Sequence, residues 1–246
     1  VLALEYLGHK DMVRSISCDK IGQYLLTGSD DCTAKIWEVN TGRCLKTITT
    51  ADIVRSVAWC PNAALSLVLI ASGSEVLVVN PDVGDPVVIS KTDTVLAEKP
   101  QSDVIVNDRV KTAVTWEDPN EVQRAAGVRF VLRHFKEVAK VIWHGRGDYF
   151  ASVMPEGQSR SVLISQISRR RSQLPFAKNK GLVQCVLFHP VKPFLFLATQ
   201  RHVRIYDLLK LTQVKKLLTN AMWISSMAIH PGGDNLLVGT YDKKML

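Results

Sequence analysis

The chain has 246 residues, 46% of them hydrophobic and 22% charged, with 31 Lys and Arg against 23 Asp and Glu for a formal net charge of +8. That composition excludes wholesale disorder, and no apolar run approaches the ~20 residues that a membrane-spanning helix needs. The sequence opens at Val1 with neither an initiator Met nor a signal-peptide pattern, so it is expected to be a piece of a longer protein.

In chain order, one phrase keeps returning. It reads Val13-Arg-Ser-Ile-Ser, Val54-Arg-Ser-Val-Ala-Trp, Val138-Ala-Lys-Val-Ile-Trp-His, Val183-Gln-Cys-Val-Leu-Phe-His-Pro and Ile224-Ser-Ser-Met-Ala-Ile-His-Pro. The starts lie 41, 84, 45 and 41 residues apart. A turn rich in Gly, Asp, Asn or Pro follows each phrase, then a second apolar run at 24–27, 67–71, 149–153, 195–199 and 236–240. A third run follows in four units, at 34–37, 76–79, 162–167 and 203–206. Apolar alternation with turn punctuation predicts short antiparallel strands. A period of ~40–45 residues with four strands per unit predicts an all-β fold, a WD40 β-propeller.

The first unit carries the motif most fully, with Gly8-His9, Thr27-Gly-Ser-Asp-Asp and Ile36-Trp-Glu. His9, Thr27, Asp31 and Trp37 are the expected structural blade cluster, a buried polar set whose members satisfy one another. Adjacent Asp30 and Asp31 suit a tight turn better than paired acid–base catalysis. Later units keep only echoes, such as Tyr206-Asp207.

The doubled interval has two readings. Either residues 81–126 are an insertion ahead of the last strand of the second blade, or a degenerate blade hides there with Lys111-Thr-Ala-Val-Thr-Trp as its best strand. The insertion is preferred because Gly127-Val-Arg-Phe-Val-Leu-Arg-His-Phe resembles the outer strand before Val54. It is expected to be a surface loop with one short helix around 117–126. The domain then divides into blades at about 7–48, 49–135, 136–168, 181–210 and 211–246, about five of an incomplete ring. An open arc leaves strand edges that need further blades or a partner, and the isolated fragment is expected to aggregate or oligomerise.

The five cysteines include no CxxC pair and there is no Asn-x-Ser/Thr sequon. Buried or half-buried structural thiols in a cytosolic or nuclear protein are expected. No histidine has metal-ligand spacing, and no nucleophile elbow, Walker loop or GxGxxG occurs, so no catalytic residue, metal or cofactor is expected. His144, His189 and His230 recur ahead of equivalent turns, which predicts a turn role. Arg146-Gly-Asp is likewise expected to be turn chemistry, with Gly145 and Gly147 supplying positive φ.

Charge is distributed unevenly. Residues 81–126 carry nine acids and five bases, whereas 157–206 carry nine bases and no acid. Such a block is an electrostatic footprint for a polyanion, the bland alternative being a solvated basic face. Within it Arg169, Arg170, Arg171, Lys178 and Lys180 surround Phe176 in the connection between the third and fourth blades. Arginine bridges phosphates and stacks on bases, and an interleaved aromatic stacks too, so these six residues are the candidate RNA-binding set. The competing expectation is that Leu174 and Phe176 tuck against the propeller.

Longer phrases are more specific. Trp143-His-Gly-Arg-Gly-Asp-Tyr, Arg170-Arg-Ser-Gln-Leu-Pro-Phe, Leu187-Phe-His-Pro-Val-Lys-Pro, Gly233-Asp-Asn-Leu-Leu-Val and Tyr241-Asp-Lys-Lys-Met resemble the block-of-proliferation family of eukaryotic ribosome-biogenesis WD40 proteins. Val57-Ala-Trp-Cys-Pro, Leu77-Val-Val-Asn-Pro and the run from Lys111 to Trp116 fit as well, so the resemblance covers essentially the whole chain. It implies the first blades of a seven-bladed propeller and a non-enzymatic assembly factor for the large ribosomal subunit. That factor acts in the nucleolus and nucleoplasm on the precursor of the large-subunit and 5.8S ribosomal RNAs. Implied partners are pre-ribosomal RNA within the pre-60S particle, a second WD-repeat protein, and pescadillo through an N-terminal region outside this chain; no membrane is implied. The other function class is a WD40 protein–protein adaptor with no RNA contact.

Overall fold

The computed structural model describes residues 3–98, 107–176, 181–220 and 223–246. Their strands form an incomplete WD40 propeller of consecutive antiparallel sheets. The first sheet is β1 (Val13–Cys18), β2 (Tyr24–Ser29), β3 (Thr33–Glu38) and β4 (Cys44–Thr49), in that order. The second contains β5 (Val54–Trp59), β6 (Val68–Ser72), β7 (Glu75–Val79) and β9 (Val128–His134), with β8 (Val114–Glu117) added outside β9. The third is β10 (Lys140–Trp143), β11 (Tyr149–Val153), β12 (Val162–Gln166) and β13 (Arg171–Gln173). The fourth is β14 (Val183–Phe188), β15 (Phe194–Thr199), β16 (His202–Asp207) and β17 (Thr212–Leu218). β18 (Ile224–Ile229) pairs with β19 (Leu236–Thr240) in the fifth.

Two strands fall across the blade limits drawn from the repeat. β13 lies beyond residue 168 yet pairs with β12, and β17 lies beyond residue 210 yet pairs with β16. The repeat phrase marks the innermost strand, so the outer strand ahead of it closes the preceding sheet.

The repeated phrase has a structural counterpart. β1, β5, β14 and β18 each shift register at their second residue, a bulge that recurs blade after blade. The serine of the phrase links blades. Ser15 accepts the amide of Val57 at 3.0 Å, and Ser56 accepts that of Val141 at 3.2 Å. Between sheets the apolar faces meet in four cores, centred on residues such as Ile70, Phe150, Leu195 and Met227. β6 is buried along its whole length because both of its faces are covered.

Residues 81–126 are an insertion, with more structure than the surface loop and short helix expected. The expected helix is α3 (Glu121–Ala125), capped reciprocally by Asn120 and Gln123. Before it stand α1 (Pro86–Ala97) and α2 (Asp108–Lys111), while β8 is the strand that suggested a hidden blade; it pairs with β9 instead. The β-branched run in α1 conceals a helix. Asp85 caps its N-terminus, and Thr92 receives the Ser66 amide at 2.9 Å. Asp93 takes a bidentate ion pair from Arg129 at 2.7 and 2.9 Å, which holds its carboxyl below the ordinary range.

The four residues of the first-blade cluster touch. The Trp37 indole donates to the Thr27 hydroxyl at 2.8 Å, which in turn lies 2.7 Å from His9 Nε2. His9 Nδ1 lies 2.9 Å from Asp31, whose carboxylate also accepts from the Thr33 hydroxyl and the Lys10 amide. Burial raises the Asp31 pKa, but the bonds from Thr33, Lys10 and His9 outweigh it and hold the carboxyl far below its ordinary value.

His134 repeats part of the arrangement two sheets on, with Ser152 on β11 standing where Thr27 stands on β2. Its Nε2 lies 2.8 Å from the Ser152 hydroxyl and its Nδ1 donates to Leu132 O at 3.2 Å, with the same spacing of 18 residues that separates His9 from Thr27. Burial pushes its pKa down to about 4. The unfolded chain, with a histidine near 6.5, therefore takes up the proton first as pH falls. Stability is complete above pH ~6.5 and declines from there to about 4, with a loss of about 2 kcal/mol near pH 5. Urea titrations across that window check this: His134→Gln should flatten the dependence, and an equal slope in both proteins would contradict it.

Cys60 and Cys185 are buried and Cys32 is half-buried, but Cys18 and Cys44 are exposed, which corrects the expectation for those two. They lie on β1 and β4, the inner and outer strands of the first sheet. Burial raises the Cys60 thiol to about 11 and raises that of Cys185 as well.

Candidate nucleic-acid interface

The basic connection begins as the hairpin between β12 and β13. The Arg170 amide closes it on Ile167 O at 3.0 Å, and Arg170 takes φ +44°, an unusual conformation for a side chain of its size. Asp148 holds the hairpin from the side. It accepts from the Ser168 amide at 2.9 Å, the Ser168 hydroxyl at 3.0 Å and Gln166 Nε2 at 2.8 Å. The Arg146-Gly-Asp triplet thus spends its carboxylate internally. Gly147 adopts φ +77°, and a Cβ there would come within 2.6 Å of Cys60 Sγ; Gly145 is not in the left-handed region, contrary to expectation.

The six candidate residues separate. Arg169 is exposed at the hairpin tip and Arg171 is half-buried on β13. Arg170 is committed elsewhere: its guanidinium donates to Leu96 O at 2.8 Å and sits 4.4 Å over the Phe130 ring. It ties the end of α1 to the second and third blades. Phe176 is 5% exposed and stacks on Tyr206 at 4.7 Å inside the core between the third and fourth sheets. No nucleobase reaches a ring placed there, so Phe176 is a packing residue. Lys178 and Lys180 lie outside the described residues.

Sequence reasoning missed a second set of cations. On the fourth sheet Arg204 stands directly opposite Lys216, with His202 two pairs along opposite Leu218. Lys210, Lys215 and Lys216 are exposed, and Arg201 precedes the strand. His202 titrates below its ordinary value, chiefly through burial and then through Lys216, Arg204 and Arg201. Like charges directly opposite across strands are unfavourable taken by themselves. Lys215 and Lys216 fall outside the acid-free block of residues 157–206. Only the register of β16 with β17 brings them to it.

The recurrent histidines serve turns. His144 and His230 accept the amide two residues on at 3.3 and 3.1 Å, and His189 accepts two amides, of Val191 and Lys192, at 3.0 and 2.9 Å. Among the described residues no group of three His, Cys, Asp or Glu is placed to hold a metal ion.

A family model for the WD domain, G-beta repeat, matches residues 2–38, the stretch that contains His9, Thr27, Asp31 and Trp37. Over 243 residues the chain is 63% identical to a ribosome biogenesis protein BOP1 homologue of Aedes aegypti, covering 99% of the chain and 28% of that protein. The homologue of Culex quinquefasciatus matches equally, and that of Drosophila persimilis is 61% identical over 246 residues, covering 31% of its length. The chain spans about a third or less of the length of these curated relatives.

Proposed function

We propose, from the premise that this chain is similar over its whole length to a stretch of the block-of-proliferation proteins, that it is the WD40 propeller portion of a non-enzymatic factor for ribosome biogenesis. On this reading it works in the nucleus and nucleolus on the pre-60S particle, as a scaffold that binds pre-ribosomal RNA and a WD-repeat partner, and supports maturation of the large-subunit and 5.8S RNA precursors. Pescadillo is met through a region outside the chain.

The observation that carries the RNA contact is the basic rim on the outer strands of the third and fourth sheets. Arg171 stands on one with Arg169 in the hairpin turn ahead of it, and Lys215 and Lys216 stand on the other. Such a rim tracks phosphates, and binding through it is salt-dependent because each neutralised phosphate releases counterions. Phe176 supplies no stacking in this reading, so recognition is electrostatic and tolerant of sequence.

The combined reversal Arg169→Glu, Arg171→Glu and Lys216→Glu tests it. RNA crosslinks to the large-subunit precursor should be lost, and the slope of log affinity against log salt should shrink by about 2–3. Arg170 is left intact because its substitution would loosen the insertion. Unchanged crosslinking in the variant, or none in the parent, would favour the protein–protein adaptor.

A further inference from the structure

Among the described residues, grooves open between the first and second, third and fourth, and fourth and fifth sheets, each bordered by the turns that join first to second strands. The groove between the first two sheets includes Asp19 and Asp85 in its wall, and that between the last two includes Asp234. The one between the third and fourth sheets has no carboxylate in its lining, and its volume is 460 Å³. Arg146 and Lys192 stand on either side, one from each sheet, and Lys192 also borders the neighbouring groove that includes Asp234. Neither cationic head has a hydrogen-bond or ion-pair partner among the described residues. Asp148, the acid nearest in sequence, is occupied by Ser168 and Gln166.

The rim of this groove is apolar. Val191 is 78% exposed and Leu209 is 80% exposed, and both line it. Single exposed apolar side chains need no explanation, but here two of them line the same cleft. His144 meets Phe188 edge-on, with ring centres 5.3 Å apart and planes at 85°. Burial and then Arg146 lower the His144 pKa, so the ring is neutral; its Nδ1 accepts the Arg146 amide, which leaves the proton on Nε2.

We propose that this cleft is a docking site for an acidic peptide segment of a protein partner that seats one apolar side chain between Val191 and Leu209 and sets carboxylates against Arg146 and Lys192. Charge complementarity selects the partner: two cations without a partner among the described residues border a cleft whose lining holds no acid, beside a 50-residue stretch, 157–206, that contains none. RNA fits less well here. Phe188 is 8% exposed with its edge toward His144, so it offers no open ring face to a base, and the lips are aliphatic. None of Arg169, Arg171, Lys215 and Lys216, the rim proposed for RNA, lines this cleft.

A random peptide library displayed on phage and panned on the intact protein tests it. Enriched peptides should place acidic residues around an apolar one. A synthetic member should bind about tenfold more weakly to the double variant Arg146→Glu and Lys192→Glu, and to Leu209→Asp. It should bind equally to the variant reversed at Arg169, Arg171 and Lys216, which separates this site from the RNA reading. All three cleft side chains substituted are exposed, so the fold is not at stake. Enrichment without that acidic–apolar pattern, peptides that ignore the cleft variants, or no enrichment would overturn the proposal. So would a short oligouridine that displaces the peptide and itself loses affinity for the double variant.

Discussion

Replacing Trp37 with alanine should destabilise the first blade by about 3–5 kcal/mol, the range for removing a large aromatic from a core. The side chain is 1% exposed and takes the edge of Tyr6 at 5.9 Å. A Cβ placed on Gly8 would lie 3.1 Å from the indole, which shows how closely the chain crosses it. The cavity is one part of the loss. The other is polar: the indole N–H is a donor to Thr27 in the chain that runs on through His9 to Asp31. Trp37→Phe keeps most of the apolar area and removes only that donor, so it should cost nearer to 1 kcal/mol for the hydrogen bond, plus a smaller packing loss. Equilibrium unfolding in urea of the three proteins checks both values. Equal losses for Trp37→Ala and Trp37→Phe would mean that the hydrogen bond, not packing, holds the blade.

Gly127→Ala should cost about 3 kcal/mol or more, at the point where the insertion rejoins the second sheet. Gly127 has φ +99°, and an added Cβ would stand 2.4 Å from Asn80 O and 3.0 Å from Lys46 Nζ. The lysine can swing away, but the carbonyl cannot. It belongs to the chain leaving β7, and the Asn80 amide is itself bonded to Gly127 O at 2.9 Å. Left-handed strain of about 1–2 kcal/mol therefore adds to an overpacking cost of similar size. The two ends of the insertion meet here, beside the knot of Asn80, Asp93 and Arg129. Damage should begin in the insertion, so limited proteolysis of the variant should cut first within 81–126. Cleavage spread evenly over the blades would show that the residue supports the ring rather than the insertion.

How much of this was legible from residues varies with how local the cause is. His9, Thr27, Asp31 and Trp37 could be named together because their types and spacings belong to one turn and two adjacent strands. His134 and Ser152 form a related pair without the Trp or the Asp, so only the spacing of 18 residues could have pointed to them. α1 was hidden by its β-branched residues and is held by partners at Ser66, Asn80 and Arg129. The basic connection looked uniform in one dimension. In three, Arg170 reaches Leu96, Phe176 reaches Tyr206, and Arg169 is left at the tip.

The amino-acid sequence by itself determined that this is an all-β chain of repeating short strands, that its positive charge gathers after residue 157, and that an acidic segment fills the doubled interval between repeats. Those properties follow from period, turn residues and charge, which act within a few positions of one another. The tertiary structure alone decided which outer strand closes which sheet, which arginines stay free, that Lys216 stands opposite Arg204, and that Arg146 and Lys192 flank one cleft. Each of these depends on strand register and on the packing of one blade against the next, contacts between residues tens of positions apart that no local pattern encodes.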